Sequence, residues 1–189
     1  MDLLLTHGYF LHEDPKELQI MKPYVPLGIL YICSHLRAKD YAAEAFDTTF
    51  SSRSELFALL GSSAPAVLGV YSNLMTRSNV LEILRVAKEA GWQTVVGGPE
   101  PGAYINEYLA AGADVVVIGE GEIAMQELLP VLQGKQVGSA DRIRALTAVR
   151  GIAFRSGDGG VHQTAPQPQI PDIESQPWPD REQVDIEQY

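Results

Sequence analysis

The sequence predicts an α/β fold: a flavodoxin- or Rossmann-like, doubly wound sheet of five mostly parallel strands, followed by a C-terminal β-hairpin and an extended strap. Three observations predict it. Short apolar runs alternate with segments of helical period from residue 2 to residue 133, the pattern of repeated βα units. Glycines stand where the helical segments stop, at Gly61, Gly91, Gly112 and Gly134. The apolar run at 66–71 does not alternate, as expected of a strand buried on both faces.

Residues 2–6 make the first strand. An irregular stretch from Gly8 to Val25 follows, interrupted by Pro15 and Pro23. Pro26 opens the first helix, because its fixed φ suits a first helical position. Leu27, Leu30, Tyr31, Ser34 and His35 then recur at three- and four-residue intervals to about Lys39. Strand 42–47, helix 54–60 and strand 66–71 come next. Val80, Ile83, Leu84, Ala87 and Ala90 form one apolar helical face that stops at Gly91. Strand 92–96, helix 103–111, strand 114–118 and helix 122–133 complete five βα repeats, and 1–134 is expected to be one domain. Residues 135–164 are read as an extension holding a hairpin, 149–155 with 160–164, around Ser156-Gly157-Asp158-Gly159. Residues 165–189, rich in Pro, Gln and acids, are read as a linker or docking strap.

Bulk properties narrow the function. A chain of 189 residues, 46% hydrophobic, buries a substantial core. A net charge of -10 argues against nucleic acid or an anionic membrane surface as partner. No apolar run approaches the roughly 20 residues a membrane span requires. The start lacks a basic n-region and cleavage site, and Cys33 has no second cysteine to pair with, so a reducing cytoplasm is expected.

In a doubly wound sheet, ligands bind outside the carboxyl ends of the strands. The loops there read Thr6-His7-Gly8, Ser72-Asn73-Leu74, Gly97-Gly98-Pro99 and Gly119-Glu120-Gly121-Glu122. Glycine lets backbone approach a bulky ligand closely, and Ser72 adds a hydroxyl. Tyr71 beside it can pack against a flat ring or serve as core. Glu122 suits the positive end of the fifth helix, with Glu120 in the loop before it.

These loops, in this order, resemble the cobalamin-binding domains that precede the radical module of cobalamin-dependent radical S-adenosylmethionine proteins. That group includes relatives of the anaerobic Mg-protoporphyrin IX monomethyl ester cyclases. The resemblance rests on Pro26-Leu27-Gly28 at a helix start, Ser72-x-Leu74 after the third strand, Gly97-Gly98-Pro99 after the fourth and Gly119-Glu120-Gly121-Glu122 after the fifth. The strap, 170–179, carries it further. It implies that Pro26, Gly28, Tyr71, Ser72, Asn73, Leu74, Gly97, Gly98, Pro99, Gly119, Glu120, Gly121 and Glu122 surround a corrinoid whose nucleotide tail enters the sheet edge. It also implies a parent methyltransferase or cyclase whose [4Fe-4S] cluster and S-adenosylmethionine are held by a radical domain following Tyr189, with no catalytic residue in this chain.

Two departures refine this. One branch of the fold carries Asp-x-His-x-x-Gly after the first strand, its His binding cobalt. Here His7 has no Asp two residues before it and no Gly three after, so a base-off, His-off cobalamin is expected, with His7 as the cobalt ligand in the rival reading. Radical enzymes hold their cluster with Cys-x-x-x-Cys-x-x-Cys; Cys33 alone, among Ile29, Leu30 and Leu36, is expected to be a small buried hydrophobe.

Other classes fit less well. A dinucleotide fold wants Gly-x-Gly-x-x-Gly after the first strand, where only Gly8 stands. A phospho-receiver wants an aspartate ending the third strand, where Val70-Tyr71 stands. The alternative function is a docking or oligomerisation domain of the same fold that binds no cobalamin.

Overall fold

The computed structural model describes residues 1–20, 23–134 and 139–189. Five strands run parallel in the order β2-β1-β3-β4-β5: β1 Leu3–His7, β2 Ala43–Phe46, β3 Val67–Tyr71, β4 Gln93–Gly97 and β5 Val115–Val117. This is the flavodoxin-like order, with its crevice where the winding direction reverses, between β1 and β3. The hairpin strands β6 Ile152–Arg155 and β7 Val161–Gln163 do not stand apart from this sheet. They pair antiparallel along β5 and extend it to seven strands.

Among the described residues, six α-helices and one short four-residue helical turn, besides a few 3-10 turns, accompany the strands. The turn is α1 Glu17–Ile20, within the stretch expected to be irregular; residues 21 and 22 of that stretch lie outside the described residues. The others are α2 Leu27–Arg37, α3 Arg53–Ser62, α4 Arg77–Glu89, α5 Ile105–Ala110, α6 Gly121–Gln133 and α7 Ser139–Ala148. Helix α7 was not anticipated. It inserts before β6, and its Leu146 and the following Val149 are buried in the core rather than opening a strand. The start of the expected extension, 135–138, lies outside the described residues.

Strand alternation sorts the core into two layers. Leu3, Leu5, Val67, Val95, Val115 and Val117 pack against α2, α6 and α7. Leu4, Leu68, Val70, Val96 and Val116 pack against α3, α4 and α5. Local chemistry sets the helix ends. Ser52 and Glu55 form a reciprocal capping box that starts α3. Gly91, at φ +88°, turns the chain out of α4 so that Trp92 enters the core and donates its indole N–H to Leu60 O at 2.9 Å. Cys33 is fully buried on α2, and burial pushes its thiol up to about 11, as an inert core residue requires.

The strap does build on the core. Ile170 N–H donates to Glu120 at the start of α6, Gln176 meets His35, Asp180 pairs with Arg37 at 2.6 Å, and Val184 is buried in the α2 layer. Gln183 Oε1 accepts the Ala45 N–H, covering the exposed edge of β2. Trp178 is 82% exposed.

Candidate functional site

The carboxyl edge of the sheet holds two adjoining cavities. The larger, about 680 Å³, lies over the ends of β1 and β3 and is bounded by His7, Tyr9, Pro26, Gly28, Tyr71 and Asn73, among others. The smaller is a slot of about 240 Å³ that descends between the sheet and the helices α2 and α6. Gly28, Ile29 and Tyr71 line both, so Tyr71 and the start of α2 form the lip between them.

Glycines line the slot, with Leu5 Cδ2 lying 2.6 Å from where a Cβ on Gly69 would stand. By alternation Gly69 and Gly97 face α2 and α6 from adjacent strands, and both line the slot. A Cβ on Gly97 would have room, with Val117 Cβ at 3.6 Å its nearest neighbour. Gly119, Glu120, Gly121 and Glu122 form the mouth at the start of α6. Gly121 also lets α6 approach α2, since a Cβ there would lie 2.6 Å from Ile32 Cδ1. Glu120 and Glu122 stand where expected, in the loop and first turn, with Glu120 tied to the strap.

Gly98 does a different job from its neighbour. It adopts φ +117°, and a Cβ would sit 2.2 Å from Ser72 O. It allows the loop after β4 to press against the end of β3, where Ser72 N–H donates to Gly97 O at 2.8 Å.

Three expected residues lie outside both cavities. Ser72 is fully buried and faces the other layer, where its hydroxyl meets Tyr108 Oη at 2.7 Å. Tyr108 donates to Glu100 Oε2, so Ser72 donates to Tyr108. Arg77 completes this group, its Nη1 3.1 Å from Glu100 Oε1 and its guanidinium stacked 3.7 Å from the Tyr104 ring centroid. Glu100 Oε1 makes that ion pair without a well-angled hydrogen bond. Burial and the Glu100 carboxylate push the Tyr108 phenol up to about 12. Leu74 is 70% exposed on the rim beside Met75, and Pro99 lines neither cavity. Asn73 lines the large cavity, but its carboxamide oxygen accepts the N–H groups of Met75 and Thr76 and shapes the turn into α4.

His7 is buried at the end of β1 rather than solvated in a loop. Its Nδ1 lies 3.2 Å from the Tyr9 N–H, which can only donate, so Nδ1 is the acceptor and the proton sits on Nε2. Nε2 then donates to Asp47 Oδ1 at 2.9 Å. The aspartate that the local sequence lacks is thus supplied from the end of β2, across the sheet. Asp47 also accepts from the Thr49 N–H and from Tyr189 Oη at 2.6 Å. Burial pushes the Asp47 carboxyl up, but these hydrogen bonds outweigh it and hold it down at about 2. Burial and the Asp47 charge together push the Tyr189 phenol above the usual tyrosine range. Among the described residues, no group of three or more His, Cys, Asp or Glu side chains is placed to hold a metal ion, and no helix is long and apolar enough to cross a membrane.

Asp47, Gly69, Glu100 and Tyr108 were not singled out from the sequence. Parallel pairing of Thr6 with Phe46 brings His7 beside Asp47, and that register is not visible in a local motif.

A doubly wound sheet with a glycine-lined slot under its carboxyl edge is a ligand-binding architecture, and the family comparison gives the ligand class. The model of the B12 binding domain matches residues 20–129, and the chain belongs to that family. A search of curated proteins finds no match. Among solved structures, the chain is similar to the cobalamin-dependent S-adenosylmethionine radical enzyme OxsB with aqua-cobalamin and S-adenosylmethionine bound. The TM-score is 0.66 at 19% identity, covering 88% of this chain and 22% of that one. The same enzyme with aqua-cobalamin alone gives 0.64 at 19% identity over 88% and 22%, and its apo form 0.63 at 19% over 87% and 22%. The likeness is one of fold, and this chain spans about a fifth of those chains' length.

Proposed function

We propose that this chain holds a base-off, His-off cobalamin for a radical S-adenosylmethionine domain, with the nucleotide tail in the 240 Å³ slot and the corrin over the larger cavity. The observation that carries this reading is the slot itself: Gly97 leaves room on the sheet face between apolar walls, and Tyr71 with the start of α2 lines both the slot and the larger cavity. The residues present fit the group. Backbone at Gly97, Gly119 and Gly121 permits close approach, and Tyr71 with the start of α2 can flank a flat ring.

When bound, the cobalamin would supply methyl-transfer or ring-closing chemistry, which belongs to the cofactor. This chain's part is to bind and orient. His7 supports an open lower face, because both ring nitrogens are already engaged, one by the Tyr9 N–H and one by Asp47. In this reading a [4Fe-4S] cluster and S-adenosylmethionine belong to a separate domain of the parent methyltransferase or cyclase. The acidic chain works in the cytoplasm and has no need of nucleic acid or membrane.

The test is direct. Purified protein is incubated with hydroxocobalamin, desalted, and its visible spectrum recorded. Near-stoichiometric retention with a base-off spectrum, unchanged in form in His7→Ala, is expected. No retained corrinoid would favour the docking or oligomerisation module instead, and a spectrum of nitrogen-ligated cobalt that disappears in His7→Ala would overturn the open face.

A further inference from the structure

The interior of the slot has a chemical character that its mouth lacks. Leu5, Ile29, Val95, Val117 and Met125 line it, each no more than 3% exposed, together with Ile32. The strand backbone at its floor is engaged in the ladder, with Leu5 opposite Gly69 and Gly69 opposite Val95. Ser72, the hydroxyl at this sheet edge, is turned to the other layer and donates to Tyr108. Carboxylates occur at the mouth, where Glu120 is exposed and accepts the Ile170 N–H and Glu122 is half-buried in the first turn of α6. An aromatic group pushed into this slot meets hydrocarbon over most of its lining, the polar side chains there being Tyr71 at the lip and Glu120 and Glu122 at the start of α6.

We infer that the slot selects among corrinoids by the polarity of the base that ends the tail, taking an alkylated benzimidazole and discriminating against a purine. The inference rests on the reading that the tail enters the slot. Dimethylbenzimidazole offers methyl groups and a single unsubstituted ring nitrogen. Adenine offers several ring nitrogens and an amino group, each of which loses water on entry and gains no side-chain partner. Discrimination therefore comes from the cost of stranded polar groups rather than from a contact the preferred base makes. Gly97, Val95 and Val117 are the residues that set it, the glycine by leaving room at its Cβ position and the valines by leaving no polar atom.

The purified chain can be titrated by equilibrium ultrafiltration, read by corrin absorbance, with cobalamin, its adenine-tailed analogue and cobinamide, which lacks the tail. Cobalamin should bind roughly tenfold or more tightly than the adenine-tailed form, the ratio expected for even one stranded polar group, and cobinamide should bind more weakly than cobalamin. Val95→Thr places a hydroxyl on the floor at nearly constant volume and should narrow the gap between the two bases. Equal affinity for the two tailed corrinoids overturns the inference while leaving the cofactor reading intact. Cobinamide binding as tightly as cobalamin removes the tail from the slot and overturns it too. Failure to bind any of the three overturns the cofactor reading itself, and the inference with it.

Discussion

On one face of the sheet's carboxyl edge, Gly97 leaves room in a slot of about 240 Å³ walled by apolar side chains. On the other face, Ser72 and Glu100, from the loops after β3 and β4, close a buried polar group with Tyr108 of α5 against Arg77 of α4. The first region is open because side chains are missing, and the second is closed because each polar group has a partner. The contrast shows how a cavity between loops keeps its shape. The loops after β3 and β4 are braced from behind by the Ser72–Tyr108–Glu100–Arg77 group and by the close approach at Gly98, so the front can stay empty without collapsing.

Adjacent glycines offer the sharpest way to break this comparison. Gly98→Ala forces a side chain into φ +117° and against Ser72 O, and should cost about 3 kcal/mol in urea unfolding. Gly97→Ala meets only Val117 and should cost less than about 1 kcal/mol. Equal costs would mean that both glycines serve the backbone.

Acid titration probes the His7–Asp47–Tyr189 corner of the large cavity. The Asp47 carboxyl sits at about 2 when folded, below its ordinary 3.8. Between those values the unfolded chain binds the proton and the folded one does not, so stability falls as pH drops through that window and is whole above it. The loss should be about 2 kcal/mol, and should be missing from the acid limb of Asp47→Asn in urea unfolding curves recorded at descending pH. Equal acid limbs in the two proteins would show that the corner is not a buried ionic contact.

Tyr108→Phe tests the bracing face alone. It leaves the Ser72 hydroxyl and the Glu100 carboxylate each short of a partner and should cost roughly 1–2 kcal/mol, while corrinoid retention by the folded variant stays unchanged. Loss of retention at full stability would instead place Tyr108 in the ligand site. The smallest effect is expected at Trp178→Ala, within about 0.5 kcal/mol, because the ring is 82% exposed. A larger loss would mean that the strap packs more closely than its exposure indicates.

The βα repeats were legible in the sequence because each buried strand is a short apolar run and α4, α5 and α6 stop just before Gly91, Gly112 and Gly134. Helix α3 instead runs through Gly61 to Ser62, where a stop was expected, and α2 ends at Arg37 without a glycine. All five strands lie where those runs predicted. Helix α7 was harder to see: Ile143 and Leu146 are its main apolar marks, and Val149 reads equally well as the start of the hairpin strand. The slot was legible in its glycine loops but not in Gly69, which sits within an apolar run and acts through the pleat. The same period of two places Tyr71 and Ser72 on opposite faces, so the hydroxyl expected at the ligand belongs to the bracing group. Asp47 escaped because its partnership with His7 depends on strand register across forty residues of chain, and non-local pairing leaves no local pattern.

The central claim is that the bare floor at Gly97 receives the corrinoid tail. Gly97→Leu fills that floor from a strand position with room at Cβ, so folding can be verified by thermal melting before retention of hydroxocobalamin is compared with the parent protein. The account predicts a folded variant that retains little or no corrinoid after desalting. A folded Gly97→Leu protein that retains as much corrinoid as the parent would contradict it.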